Sequence, residues 1–367
     1  MALVLLPSPL AVKSPSPPPA EIAHMEKKSA PRPTSPVDLD YHGDIKLRVG
    51  GRKIGDGLSI EPTYFTACSR TLARISPVFD RMLYGHFAEA RKPATLDQDW
   101  IVNLPDDKPE PMGILLEIAH CQFLSVPKTL TLEQLYDLTV LTNYYDATAL
   151  LSPWVDSWIT CMDGISRKDA RVLLPKILWV AWELGQKSIL EDTARRMLME
   201  VDGPPFMDTC EDENIQTPPD IVERIDAIRT QTIRSLLEVV GEMTEALVVV
   251  DERPRWCRHA QWMGHHKCES MILGSITFCL ARAGLWPLPE AEEVEYSLLS
   301  LYNKLTELVI HDIGEERTHD VVRNHAECNP RRQVLRRLRG IMEELPSSLT
   351  EMHMATVEKQ RHRLMAN

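Results

Sequence analysis

Positive charge is in deficit in this chain. Its 367 residues carry 41 Lys and Arg against 53 Asp and Glu, a net charge of −12. A surface of that sign repels phosphates over long range, which argues against a whole-protein nucleic-acid clamp. Long apolar runs are missing as well. The longest, Met271–Leu280, stops at Arg282, whereas a spanning helix needs about 20 apolar residues. The opening Met-Ala-Leu-Val-Leu-Leu has no basic residue before it and is cut by Pro7 and Pro9, so it does not read as a secretory signal. Aromatic residues make up only 6% of the chain. The signatures of common catalytic sites are also absent: there is no Walker loop, no His-Glu-x-x-His and no Gly-x-Ser-x-Gly. No internal repeat is visible.

What remains is an ordinary globular balance, 44% hydrophobic and 26% charged, long enough for about two domains of roughly 150 residues. Composition excludes a fibrous chain, a fully disordered chain and a polytopic membrane protein. The eight cysteines are scattered, at 68, 121, 161, 210, 257, 268, 279 and 328. Without a secretory signal or a dense framework, they read as reduced thiols of the cytoplasm or nucleus.

Residues 1–40 are rich in Pro, Ser and Ala around Ser14-Pro15-Ser16-Pro17-Pro18-Pro19, a composition that predicts a disordered tail with polyproline character. Ile45, Leu47 and Val49 then alternate with Lys46 and Arg48, the pattern of a half-buried strand. Gly50-Gly51 predicts a tight turn, with a returning strand from Arg52-Lys53-Ile54. Leu72, Ile75, Phe79, Met82 and Leu83 predict one helix. Trp100–Leu104 predicts a strand ended by Pro105-Asp106-Asp107. Helices are predicted around Ile114–Ala119, Leu132–Val140 and Leu150–Trp158, the last starting at Ser152-Pro153, followed by a helical block from Ser166 to Glu200.

Residues 202–219, with Pro204-Pro205, Pro218-Pro219 and Glu211-Asp212-Glu213, predict a solvated acidic linker. Beyond it, Asp220 with Glu223 predicts the capping box of a long helix striped by Ile221, Ile225, Leu236, Val240 and Leu247. Further helices are expected at Met271–Ala283, Ser297–Ile310 and Arg331–Leu345. The expected fold class is α+β. Its parts are a tail (1–40), a small sheet with packed helices (41–162), a helical extension (163–201), the linker (202–219) and an α-helical C-terminal domain (220–360).

Several phrases in residues 44–160 occur in a specific order: Asp44-Ile-Lys-Leu-Arg-Val-Gly-Gly51, Ser69–Leu83 leading to Phe87-Ala-Glu89, Val102-Asn-Leu-Pro-Asp-Asp107 before Ile114–Ala119, and Leu132–Tyr145. This stretch, about a third of the chain, resembles a BTB/POZ domain of the kind common in filamentous-fungal proteins. The His-Lys pair that many members carry at the start of the first helix reads Ser69-Arg70 here. No kelch repeats, finger array or channel helices follow. The resemblance implies a compact protein–protein contact domain, often homodimeric, in some members an adaptor for a cullin-type ubiquitin ligase scaffold. Cys257, Cys268–Ser275, Gly284-Leu-Trp-Pro287 and His325-Ala-Glu-Cys328 resemble the tails of the same fungal proteins.

The sharpest chemical feature is a concentration of Cys and His after residue 250: Cys257, His259, His265, His266, Cys268, and then His325-x-x-Cys328. Thiolate and imidazole are the ligands of a structural zinc, which takes four in a closed tetrahedron. Cys257, Cys268, His325 and Cys328 are therefore the candidate zinc ligands, set against surface histidines and buried free thiols as the plainer explanation. His325-Ala-Glu327 also opens a deaminase signature, but no later Pro-Cys-x-x-Cys completes it.

Arg331, Arg332, Arg336, Arg337 and Arg339 form a basic run that suits either an acidic partner or a solvated face. Gly50, Gly51, Gly55 and Gly57 read as hairpin geometry, Asp106-Asp107 as a turn, and Trp154 and Trp158 as core. Three functions follow as expectations: a non-enzymatic interaction protein, a DNA-associated regulator using Arg331–Arg339, or a metal-dependent enzyme at the Cys/His cluster.

Overall fold

Alternation of apolar and polar residues builds the sheet. In the computed structural model, which describes residues 37–51, 53–54, 58–59, 61–90, 99–163, 169–248, 257, 259, 266–318 and 321–366, β1 (Val37–Asp38) precedes β2 (Ile45–Val49). β2 buries Ile45, Leu47 and Val49 and turns Lys46 and Arg48 away. Two short strands follow, β3 (Lys53–Ile54) and β4 (Leu58–Ser59), then β5 (Thr63–Ala67).

The expected return strand after Gly50-Gly51 does not pair with β2. Lys53–Ile54 pairs with Leu58–Ser59, and β5 is the antiparallel neighbour of β2, with Leu47 opposite Phe65. Gly50 and Gly51 both have positive φ, 82° and 96°, which carries the chain out of the sheet at little steric cost. Val37–Asp38, assigned from composition to the tail, pairs in parallel with β5. Residues 1–36, Arg52, Gly55 and Gly57 lie outside the described residues.

α1 (Ser69–Ile75) and α2 (Pro77–Tyr84) replace the single helix expected there. Pro77 cannot donate a backbone hydrogen bond, and Ser76 is extended (φ −142°, ψ 119°), its hydroxyl accepting from Phe79 N. β6 (Ile101–Leu104) completes the sheet parallel to β2, with Val102 opposite Leu47 and Leu104 opposite Val49. The strand order is β1-β5-β2-β6. One face is thus apolar throughout, and it packs on Leu72, Phe79, Met112, Leu115, Leu116 and Tyr145. Phe79 and Tyr145 stack with centroids 4.3 Å apart.

α3 (Pro109–Ala119) starts on a proline, which is tolerated in a helix's first turn. α4 (Leu132–Tyr144) starts on a Thr131–Gln134 capping box. The next expected helix is broken into a 3₁₀ stretch Thr148–Trp154 holding Pro153, a single α-turn α5 (Val155–Trp158), and a second 3₁₀ turn Ile159–Met162. Trp158 is fully buried, stacks on Trp154 and donates from Nε1 to Pro127 O at 2.9 Å. The helical block divides into α6 (Ala170–Glu183) and α7 (Lys187–Glu200). Pro175 lies inside α6.

Residues 202–219 are not a solvated linker. They contain α8 (Phe206–Asp212), and Phe206, Cys210 and Ile215 are buried. Two half-buried charged side chains pin this segment. The Arg171 guanidinium donates to the carbonyls of Asp202, Pro204 and Pro205. The Asp226 carboxylate accepts from Phe206 N and Met207 N, both at 2.9 Å.

α9 (Ile221–Val248) follows. Asp220 has φ 61°, a left-handed residue rather than the extended N-cap expected from Asp220 and Glu223. α10 (Lys267–Ala283) and α11 (Leu298–Thr306) come next. A hairpin of β7 (Glu315–Thr318) and β8 (Val321–Asn324), not foreseen, precedes α12 (Arg331–Glu343). A further unforeseen helix, α13 (Glu351–Met365), begins on Thr350, whose hydroxyl accepts from His353 N.

The fold is α+β, a small sheet with many helices. The expected boundaries at 162 and 220 do not divide it. One buried cluster runs from Ile114 and Trp158 through Leu178, Leu190 and Val240 to Val357 and Leu364, and all described residues from 37 onward belong to one compact unit. Among the described residues, no helix is long and apolar enough to cross a membrane.

α13 returns to the middle of the chain. Ser152 donates to Leu364 O at 2.5 Å, and Arg363 pairs with Asp146 at 2.8 Å. At the turn between α6 and α7, Gly185 has φ 65°, and a Cβ there would meet Arg361 N at 2.5 Å. Gly185→Ala is therefore expected to destabilise the protein by about 2–4 kcal/mol, combining left-handed strain with forced backbone displacement. Urea unfolding measures this, and an unchanged midpoint would mean that α13 does not rest on this turn.

Candidate metal centre

The cluster is assembled from two places in the sequence. Cys257 precedes α10, and Cys268 is the second residue of that helix. His325 and Cys328 lie on a 3₁₀ turn, His325–Cys328, directly after β8. Local hydrogen bonds fix this turn. The Asn324 side chain accepts from Ala326 N, and His325 N donates to Gly314 O at 2.8 Å. Asn329 Nδ2 donates to Ile310 O at 2.8 Å and Asp312 Oδ2 at 3.0 Å. On the other side, the buried Glu269 in the first turn of α10 accepts from Cys257 N at 3.4 Å.

The four ligand atoms of Cys257, Cys268, His325 and Cys328 all lie within 4.8 Å of one another. His325 Nδ1 is 3.2 Å from Cys268 Sγ and 3.7 Å from Cys257 Sγ. Around a tetrahedral ion bound at about 2.0–2.3 Å, neighbouring ligand atoms stand roughly 3.5–3.8 Å apart. The donor set fits such an ion after small movements, and the cluster can hold a metal. Cys268, His325 and Cys328 are buried and Cys257 is half-buried, so the donors are shielded from solvent.

Burial pushes the Cys268 thiol well above the ordinary thiol range, and the neighbouring Cys257 and Cys328 push it further. Three thiols packed together cannot share negative charge without a cation between them. None of the eight cysteines is disulfide-bonded.

A second layer surrounds the imidazole. His325 Nε2, on the side away from the thiols, is buried and lies 3.4 Å from Glu316 Oε2, an ion-pair distance outside hydrogen-bond geometry. Glu316 in turn accepts from Lys267 Nζ at 3.2 Å. Lys267, with His325 as a lesser contributor, holds the Glu316 carboxyl below its usual range. A carboxylate on this side of the ring favours the proton on Nε2, and Nδ1 is the nitrogen that faces the thiols. Sequence reasoning missed Glu316 and Lys267. Adjacency to Cys268 was the only signal for Lys267, and Glu316 sits on the unforeseen hairpin.

The other candidates fall outside the cluster. His259 Nε2 is 3.1 Å from Asn324 O, with its ring 5.2 Å from that of His325. His266 stands before the first turn of α10, where its carbonyl accepts from Ser270. His265 lies outside the described residues. Within the basic run, Arg331 donates to the carbonyls of Leu308 and Thr306, and Arg337 pairs with Glu242 at 2.8 Å. Two of the five arginines therefore serve the fold. Asp107 accepts from Tyr145 OH at 2.5 Å in the turn after β6.

No family model matches the sequence, and no curated protein matches it.

Ligation by this cluster consumes thiolates, and the raised Cys268 thiol carries its proton at neutral pH when no metal is bound. Metal uptake by the metal-free full-length protein is therefore expected to release protons, and its apparent affinity to weaken as pH falls. A weakly buffered titration with a pH indicator reads this directly. Uptake without proton release would show that the metal is held elsewhere.

Proposed function

We propose that this chain is a non-catalytic protein-interaction protein, an adaptor that joins a BTB/POZ-like segment at residues 41–162 to a helical body clasped by structural zinc. The observation that carries this reading is the arrangement of the first segment. β2 is flanked antiparallel by β5 and parallel by β6, α1 and α2 fall between those neighbours in sequence, and α3 and α4 follow. That is the order in which the BTB-like phrases occur along the chain. The family's usual role is contact between proteins, including homodimers and, in some members, cullin-type scaffolds. Those are the partner classes this reading assigns, in the cytoplasm or nucleus, where thiols stay reduced.

Zinc is the metal that three thiolates and one imidazole favour. Four protein ligands fill the tetrahedron. An enzyme site needs a position for water or substrate, so a closed set supports a structural role over a metal-dependent enzyme. The alternative of a DNA-associated regulator is weakened by the engagement of Arg331 and Arg337 and by the net charge of −12.

Two measurements test this reading. Sedimentation equilibrium of the full-length protein is expected to show reversible self-association, with inter-copy cross-links falling within residues 41–162. A strict monomer that retains no protein partner in pull-downs would overturn the interaction role. Native mass spectrometry is expected to show one bound zinc. The zinc-loaded protein should be more stable by about 3 kcal/mol when free ion stands a hundredfold above Kd. Cys328→Ser should abolish that gain. A melting temperature unmoved by strong chelator would remove zinc from the proposal.

A further inference from the structure

A groove of about 920 Å³ opens between the turn joining β6 to α3, one side of α4, and the segment that carries α8. Among the described residues the lining is mostly of one sign: the carboxylates of Glu89, Asp106, Asp107, Asp137 and Glu211 face it, with the base Lys108. Lys108 is already committed to Asp137, with its Nζ at 2.6 and 2.7 Å from the two carboxylate oxygens.

Between the carboxylates lie tyrosine rings and aliphatic side chains. The Tyr145 hydroxyl donates to Asp107 Oδ2 at 2.5 Å, and the Tyr136 hydroxyl accepts from Gln216 N at 2.6 Å. Tyr144 stands at the rim, 66% exposed. Val140, Met207 and Ile215 belong to the apolar part of the wall.

We propose that this groove binds a segment of a partner protein through its arginine or lysine side chains. Such a side chain offers an aliphatic stem for the apolar wall and a cationic tip for the carboxylates. Its charge also suits the open face of a tyrosine ring. The volume exceeds what a bare metal ion or a single ammonium group needs and falls within the range of sites that enclose several groups. The carboxylates of the described lining repel a phosphate-bearing ligand. Burial raises both Asp107 and Asp137 above the usual carboxylate range, so a cation placed there recovers part of their lost solvation.

The geometry needs both halves of the chain. Met207, Glu211 and Ile215 form one wall only because residues 202–219 are packed against α9 and not free in solvent. The proposal rests on the reading of this chain as an interaction protein and names the chemistry of one partner.

The test pans random peptides displayed on phage against the full-length protein, then titrates the synthesised winners by fluorescence anisotropy. Winners are expected to be enriched in Arg and Lys and to bind more weakly as salt rises. Asp107→Asn and Asp137→Asn should each weaken them about tenfold. Glu211→Lys and Tyr144→Ala change exposed side chains, leave the fold intact and are expected to weaken binding to a similar degree. Winners without basic residues, or no winners at all, would overturn the proposal. Basic winners that bind all four variants as well as the parent would also overturn it, yet would leave the interaction role standing through another surface.

Discussion

Burial of the α9 stripe is the constraint on which the rest of the structure depends. Ile221, Val222, Ile225, Ile233, Leu236 and Val240 are almost wholly withdrawn from solvent, each contributing about 1.5–3 kcal/mol relative to exposure. α7, α8, α10, α11 and α12 all pack against this helix. The apolar stripe supplies most of the driving force but little register. Register comes from two charged residues one turn apart. Asp226 holds the start of α8, and the buried Arg229 donates to Tyr296 O at 3.0 Å just ahead of α11. Burial pulls the Arg229 guanidinium down and pushes the Asp226 carboxyl up, and each charge partly offsets the other. Arg229 left without Asp226 would be a costly buried charge.

The Cys/His cluster lies where the hairpin has little packing of its own. Val321 and Val322 on β8 are exposed, so β7 and β8 bury little apolar surface of their own. A two-stranded hairpin is marginal in water without packing on one face. Cys268, Glu269, His325 and Cys328 are buried at this corner. Cys268 and His325 are 57 residues apart in sequence. A cross-link over a loop of that size is worth on the order of 4 kcal/mol in chain entropy. Packing from α9 and a metal held at the corner would therefore act on different parts of the C-terminal half, one by area and one by a few bonds.

Much of this was legible in the sequence where a single periodicity governs the outcome. The alternation at Ile45, Leu47 and Val49 and the stripe of α9 are local signals, and the structure follows them. The break between α1 and α2 was hidden because Leu72, Ile75, Phe79 and Met82 keep helical phase across Ser76-Pro77. Residues 202–219 were obscured by composition. Their prolines and acids suggest solvent, but Phe206, Cys210 and Ile215 reach the core because Arg171 and Asp226, remote in sequence, satisfy the backbone there. At the candidate site the three-residue step from His325 to Cys328 was readable. Glu316 was not, since neither β7 nor β8 shows an apolar alternation. α13 offers few buried positions, mainly Val357 and Leu364, and its capping Thr350 was the one cue.

The split origin of the four ligands has a consequence in time as well as in space. Ribosomes extend a chain at roughly 5–20 residues per second, so the 57 residues from Cys268 to His325 take roughly 3–11 s to make. Throughout that interval Cys257 and Cys268 exist as a pair of thiols without their partners. Neither the imidazole nor the third sulfur has yet been synthesised. Biosynthesis thus passes through a stage in which half of the cluster is open to oxidants and to stray soft metals, before the second half arrives to complete it.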